Sequence, residues 1–149
     1  MQLGFPTLAV VNGHAVGAGV FLALAHDRAI MESNPDFTFC TNELSFGKAI
    51  PYPYVQMLRA FCSPRVARQM VMGPRLSSMK AVEYDLVQEM YANRSDLESK
   101  IADFVKQRAP IGKNKVSYQH TKYNHYKDLI DLLDEPESYS IYNIADAKM

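Results

Sequence analysis

The sequence predicts an α/β fold that gives way to a helical region near residue 92. Two observations carry the prediction. Short apolar or aromatic runs recur early, at Thr7 to Val11, Arg28 to Met31 and Phe37 to Thr41, each too short for a helix and each bounded by turn residues. After Ser95 the pattern lengthens into polar stretches with apolar residues at helical spacing, as at Ile101, Phe104 and Val105. The 149 residues, 48% of them hydrophobic, suffice for one core. The expected division is an α/β core over residues 1–92 and a helical region over 93–149.

Thr7 to Val11 reads as a buried strand, broken by Asn12-Gly13. Gly17-Ala18-Gly19 then turns the chain into a helical run from Val20 to Ala25. Asp27 to Ser33 returns as a strand, Asn34-Pro35-Asp36 turns, and Phe37 to Thr41 alternates as a third strand. Asn42-Glu43-Leu44 ends that strand, and Phe46-Gly47 opens a loop. The prolines of Ile50-Pro51-Tyr52-Pro53 exclude regular helix and inner strand there, so helix is expected from about Tyr54. Ser63-Pro64 is a helix start, Gly73-Pro74 the stop, and Ser77 or Ser78 the next cap. Leu86-Val87 reads as a brief extended piece. Ser95-Asp96-Leu97-Glu98 matches a capping box. Lys113 to Asp134, studded with Tyr118, Tyr123 and Tyr126, reads as a long helix ended by Pro136, with a short tail from Tyr139 to Met149.

Composition excludes several functions. Sixteen basic residues balance sixteen acidic ones, so nothing asks for nucleic acid. No apolar run reaches membrane-spanning length, and MQLGF is neither a signal peptide nor an arginine-rich transit sequence. Cys40 and Cys62 lack metal-ligand spacing, the four histidines share none, and no metal is expected. Charge is uneven: Leu44 to Val82 holds six basic residues and no acidic one, and Asp128 to Glu137 holds five acidic residues and no basic one. Two readings stand, solvated faces that offset each other or a basic face for a phosphorylated ligand or acidic partner.

The small residues at Gly17, Ala18 and Gly19 let the backbone approach something closely, and a helix start offers unpaired N–H groups to an oxygen carrying negative charge. The plainer reading is a tight turn packed with small residues. G-x-G alone does not decide between them.

Taken together, PTLAVVNGHAVGAGVFLALAHDRAIM, FTFCTNELSFG and GPRLSSMKAVEYDLV resemble the crotonase (enoyl-CoA hydratase/isomerase) superfamily over roughly Pro6 to Val87. Within it, ESNPDFTFCTNELSFG is most similar to the Δ3,Δ2-enoyl-CoA isomerases. The resemblance implies a partial ββα spiral core and an acyl-CoA thioester as substrate, with coenzyme A present only as part of that substrate and no separate cofactor. It implies Glu43 as the catalytic carboxylate and the backbone N–H of Ala18 as an oxyanion donor. Gly17, Gly19, Phe21 and Phe39 would line the substrate pocket. Hydratases of the family use two glutamates, and the position of the first is Phe21 here, so isomerisation is implied and hydration is not. Members are about twice as long, and the part without a counterpart here carries a second oxyanion donor and most coenzyme A contacts. Lys106, Lys113 and Lys115 are further candidates for a ligand phosphate.

An oligomer or a complex with other protein chains is therefore expected, in the mitochondrion, or else in the peroxisome or cytoplasm. The competing reading is an inactive, crotonase-like interaction subunit whose exposed strand at Thr7 to Val11 is covered by a partner.

Overall fold

A computed structural model describes residues 1–135. Strand β1 (Leu8–Val11) leads to a two-residue strand β2 (Ala15–Val16), helix α1 (Ala18–Leu24) and strand β3 (Arg28–Glu32). β1 and β3 pair in parallel, Val10 opposite Ile30, so α1 is the crossover helix of a βαβ unit. Strand β4 (Phe39–Cys40) pairs in parallel with β2, and a 3-10 turn (Glu43–Phe46) follows it. Helices α2 (Tyr52–Phe61), α3 (Pro64–Met70) and α4 (Ser78–Glu83) precede strand β5 (Glu89–Tyr91), which adds to the other side of β3. Helices α5 (Arg94–Gly112) and α6 (Lys115–Leu133) complete the described chain. The larger sheet is ordered β1-β3-β5 with β1 at an edge, and the smaller is β2-β4.

Burial explains the centre. Ile30, Met31, Phe39, Leu58, Met70 and Val87 are almost wholly shielded. Each such large side chain contributes about 2 kcal/mol by leaving water. Leu129 of α6 joins Met31, Phe39, Leu58, Met70 and Val87 in one core.

Several boundaries differ from expectation for physical reasons. Tyr52 and Pro53 lie inside α2 because proline in a first turn forfeits no intrahelical hydrogen bond. Leu86 and Val87 are buried but not a strand. The chain turns at Asp85 (φ 56), and the extended segment starts only at Glu89, after Gln88 N–H bonds the Ala29 carbonyl. The cap of α5 is Asn93, whose side chain accepts from the Asp96 N–H, so the box sits two residues before Ser95. α6 is broken at Tyr126 (φ −112, ψ 15), where two helical pieces meet. The expected tail from Tyr139 and the stop at Pro136 lie outside the described residues.

α6 is fastened to the βαβ unit through Asp27. Its carboxylate accepts from Thr7 N–H at 2.7 Å, Thr7 Oγ1 at 2.8 Å, Tyr118 OH at 3.0 Å and Lys122 Nζ at 2.9 Å. The Lys122 side chain is only 7% exposed. Further along α6, Tyr126 packs on Phe61 of α2, ring centroids 5.1 Å apart. Glu89 of β5 holds Arg28 of β3 and Lys100 of α5, which ties α5 to the sheet.

Candidate active site

Two parallel strands bring the site together. Ala15 N–H bonds the Thr38 carbonyl and Gly17 N–H bonds the Cys40 carbonyl, both at 2.8 Å. With Val16 opposite Cys40, β2 and β4 end side by side. The residues that follow, Gly17-Ala18 on one strand and Asn42-Glu43 on the other, therefore emerge at the same place.

Gly17 has φ 56 and ψ −121, a conformation that glycine adopts without steric cost. A Cβ there would stand 3.2 Å from Asn42 Oδ1 and 3.3 Å from Glu43 Oε1. The glutamate thus faces the turn. Its other oxygen, Oε2, is buried and has no hydrogen-bond partner among the described residues. A carboxylate oxygen in that position is costly unless something else meets it. Ala18 is the first residue of α1, so its N–H has no intrahelical acceptor, and glycine at the cap supplies no side chain.

The strand end that aims Glu43 is held from behind. Thr41, fully buried, donates its hydroxyl to the Met70 carbonyl at the end of α3. Gly73 (φ 72) lies so close that a Cβ there would meet the Thr41 carbonyl oxygen at 2.7 Å. The Gly73-Pro74 stop is thus also a wedge behind the site.

Phe21 is 2% exposed and stacks on Tyr54 of α2, centroids 4.5 Å apart and planes 10° from parallel. Ala18, Phe21, Tyr54, Met57 and Leu133 line an apolar cleft of about 510 Å³ that Gly19 also borders. Glu43 is not among its lining residues. Phe39 is 0% exposed and packs in the core, bridged to Leu76, so it shapes the site from beneath without facing a cleft. A Cβ at Gly19 would meet nothing within 4 Å.

Other candidates lie apart. His14 Nδ1 accepts from Thr38 N–H, and His26 Nδ1 stands 2.8 Å from the Leu22 carbonyl oxygen. Lys106 and Lys113 are exposed, and Lys115 packs over Gly4. Arg59 and Asp128, from the basic and acidic stretches, line one cleft between α2 and α6. Among the described residues no group of three or more His, Cys, Asp or Glu side chains is placed to hold a metal ion. Likewise, no described helix is long and apolar enough to cross a membrane. Sequence reasoning missed Asn42 as a neighbour of Gly17. The signal available was its place beside Glu43, where a turn rather than a strand governs direction.

The family model described as enoyl-CoA hydratase/isomerase matches residues 1–132. A peroxisomal enoyl-CoA delta isomerase 2 of Arabidopsis thaliana is 30% identical over 89 residues, which are 58% of this chain and 37% of that protein. An (E)-benzylidenesuccinyl-CoA hydratase of Thauera aromatica is 29% identical over 114 residues, 74% of this chain and 44% of that protein. A solved enoyl-CoA hydratase/isomerase family protein from Pseudomonas syringae superposes with a TM-score of 0.73 at 24% identity, over 88% of this chain and 56% of that one. The alignments thus span about two fifths of these curated relatives and little more than half of the solved neighbour. With its crotonase-like α/β core and helical C-terminal region, the chain belongs to the enoyl-CoA hydratase/isomerase family.

Proposed function

We propose that this chain carries the acid–base half of an enoyl-CoA isomerase, which moves the double bond of an enoyl-CoA thioester by a single-glutamate proton shuttle. The observation that carries the reading is Glu43, turned onto Gly17 with one oxygen buried and unpartnered among the described residues. Its carboxylate takes the proton from the carbon between thioester carbonyl and double bond. The C–H electron pair becomes a new C=C bond, and the carbonyl π pair moves onto the oxygen. The Ala18 N–H, free of an intrahelical acceptor, supports that oxygen. The π pair of the original double bond then takes the proton back from Glu43 at its far carbon, the enolate C=C pair becomes the shifted double bond, and an oxygen pair re-forms the carbonyl. One base suffices because nothing is added to the substrate.

Phe21 supports isomerisation over hydration. It stands where the family's hydratases carry their first glutamate, and a phenyl ring neither donates nor accepts a proton. The apolar cleft beside Ala18 suits an acyl chain. No cofactor is required beyond the coenzyme A of the substrate. The Arabidopsis relative's name supports a peroxisomal setting over the mitochondrial one that the sequence suggested. Further polypeptide, from the same or another chain, would supply a second oxyanion donor and the coenzyme A contacts. The open edge of β1, with Val10 36% exposed and Leu22 67% exposed on the neighbouring helix, supports such an assembly. The same edge favours the second reading, an inactive interaction subunit.

The deciding experiment assays the purified native assembly for isomerisation of a 3-enoyl thioester. Glu43→Gln should lower kcat by at least about 1,000-fold while thioester binding stays within about threefold. An assembly with intact Glu43 and no isomerisation leaves only the interaction reading.

A further inference from the structure

Asn42 and Glu43 are consecutive, and in an extended strand consecutive side chains point to opposite faces. The chain leaves β4 by folding at Asn42 (φ −104, ψ 10) into the 3-10 turn. As a result both side chains end at one point, 3.2 and 3.3 Å from where a Gly17 Cβ would stand. The backbone of Asn42 is fixed separately: its carbonyl accepts from Ser45 N–H at 3.0 Å and Ser45 Oγ at 2.6 Å. The side-chain amide makes no capping bond to the turn it begins. Asparagine at a turn ordinarily bonds its own neighbouring backbone. This one is directed at the facing strand's glycine instead.

We infer that Asn42 donates a hydrogen bond to the thioester oxygen alongside the Ala18 N–H, an inference that rests on the isomerase reading. An amide nitrogen carries two donors, and a half-turn about the last side-chain torsion places it where the oxygen now stands. Negative charge grows on the thioester oxygen as Glu43 takes the α proton. Preorganised donors aimed at that oxygen act on the barrier, and side-chain amides serve this purpose as well as backbone N–H groups do. A neutral amide is also compatible with a nearby base. A second carboxylate would repel the charge that develops, and a lysine would pair with Glu43. Asn42 thereby adds a side-chain donor from within this chain to the backbone donor that further polypeptide would supply.

The test compares Asn42→Ala and Asn42→Asp in the assembly that isomerises a 3-enoyl thioester. A second readout is the near-ultraviolet absorbance of a bound 3-oxoacyl thioester, which reports its enolised fraction without turnover. Asn42→Ala should lower kcat on the order of 100-fold with KM little changed, and should lower the enolised fraction. Asn42→Asp should be worse on both counts, because it places negative charge beside the developing one. Aspartate shapes turns as well as asparagine. If Asn42 only shapes the turn and does not donate to the oxygen, a folded Asn42→Ala assembly keeps wild-type kcat and enolate signal. That outcome overturns the inference while Glu43→Gln still abolishes turnover. A wild-type assembly that neither isomerises nor enolises overturns the isomerase reading and this inference with it.

Discussion

Replacing Asp27 by alanine should destabilise the protein by about 2–4 kcal/mol. The figure follows from what the carboxylate holds: two bonds from Thr7, one from Tyr118 and an ion pair with Lys122, whose side chain is 7% exposed. Removing one partner of a buried pair typically costs 3–5 kcal/mol, and the 21% exposure of the Asp27 side chain lets water offset part of that. Urea titration at pH 7 reads the change as a fall in midpoint at constant slope. Adding Lys122→Met to Asp27→Ala should recover part of the loss, because the stranded ammonium is then gone. The contribution also depends on pH. Burial alone would raise the Asp27 pKa, but the bonds from Lys122, Thr7 and Tyr118 outweigh it and hold the group below its ordinary value. A carboxyl with a depressed folded pKa stabilises fully above the unfolded value and loses that stabilisation as pH falls through the folded one. The advantage of wild type over Asp27→Asn should therefore persist at neutral pH and fade below about pH 4. A loss under about 0.5 kcal/mol for Asp27→Ala, or further destabilisation by Lys122→Met in that background, refutes the fastening role.

Two more outcomes can be measured on the same preparation. Gly73→Ala should cost about 2–3 kcal/mol in thermal or denaturant unfolding, since φ is 72 and the added Cβ meets the Thr41 carbonyl at 2.7 Å. Gly13→Ala, whose Cβ meets nothing within 4 Å, is the control. Cys62 should resist disulfide reagents at pH 8, because burial pushes its thiol up to about 11 and leaves about one molecule in a thousand ionised. Prompt labelling of the folded chain would contradict that.

The α/β start was legible because its strands and crossover helix are local patterns: apolar runs, Asn34-Pro35, and the stop at Gly73-Pro74. The Ser63 cap was legible for the same reason, its side chain accepting from Val66 N–H three residues away. Strand β2 escaped because two residues carry no periodicity, and it exists only through its pairing with β4. The Tyr126 break escaped because no glycine or proline marks it. The clasp on Asp27 joins residues 91 and 95 positions apart, a separation that sequence patterns do not encode. At the site, the family pattern singled out Glu43 and the glycine turn. The placement of Asn42 beside Gly17 depends on how a 3-10 turn redirects two neighbours, which a strand-period reading inverts.

Helix α1 has seven residues and is about 10 Å long. Ala18 stands at one end, and Asp27 follows closely after the other. So short a rod has little room to bend, so a displacement at its Asp27 end would carry to Ala18, the donor in the proposed isomerisation. Under the proposed isomerisation, substitutions in α6 remote from Glu43 and Ala18 should still register as altered turnover.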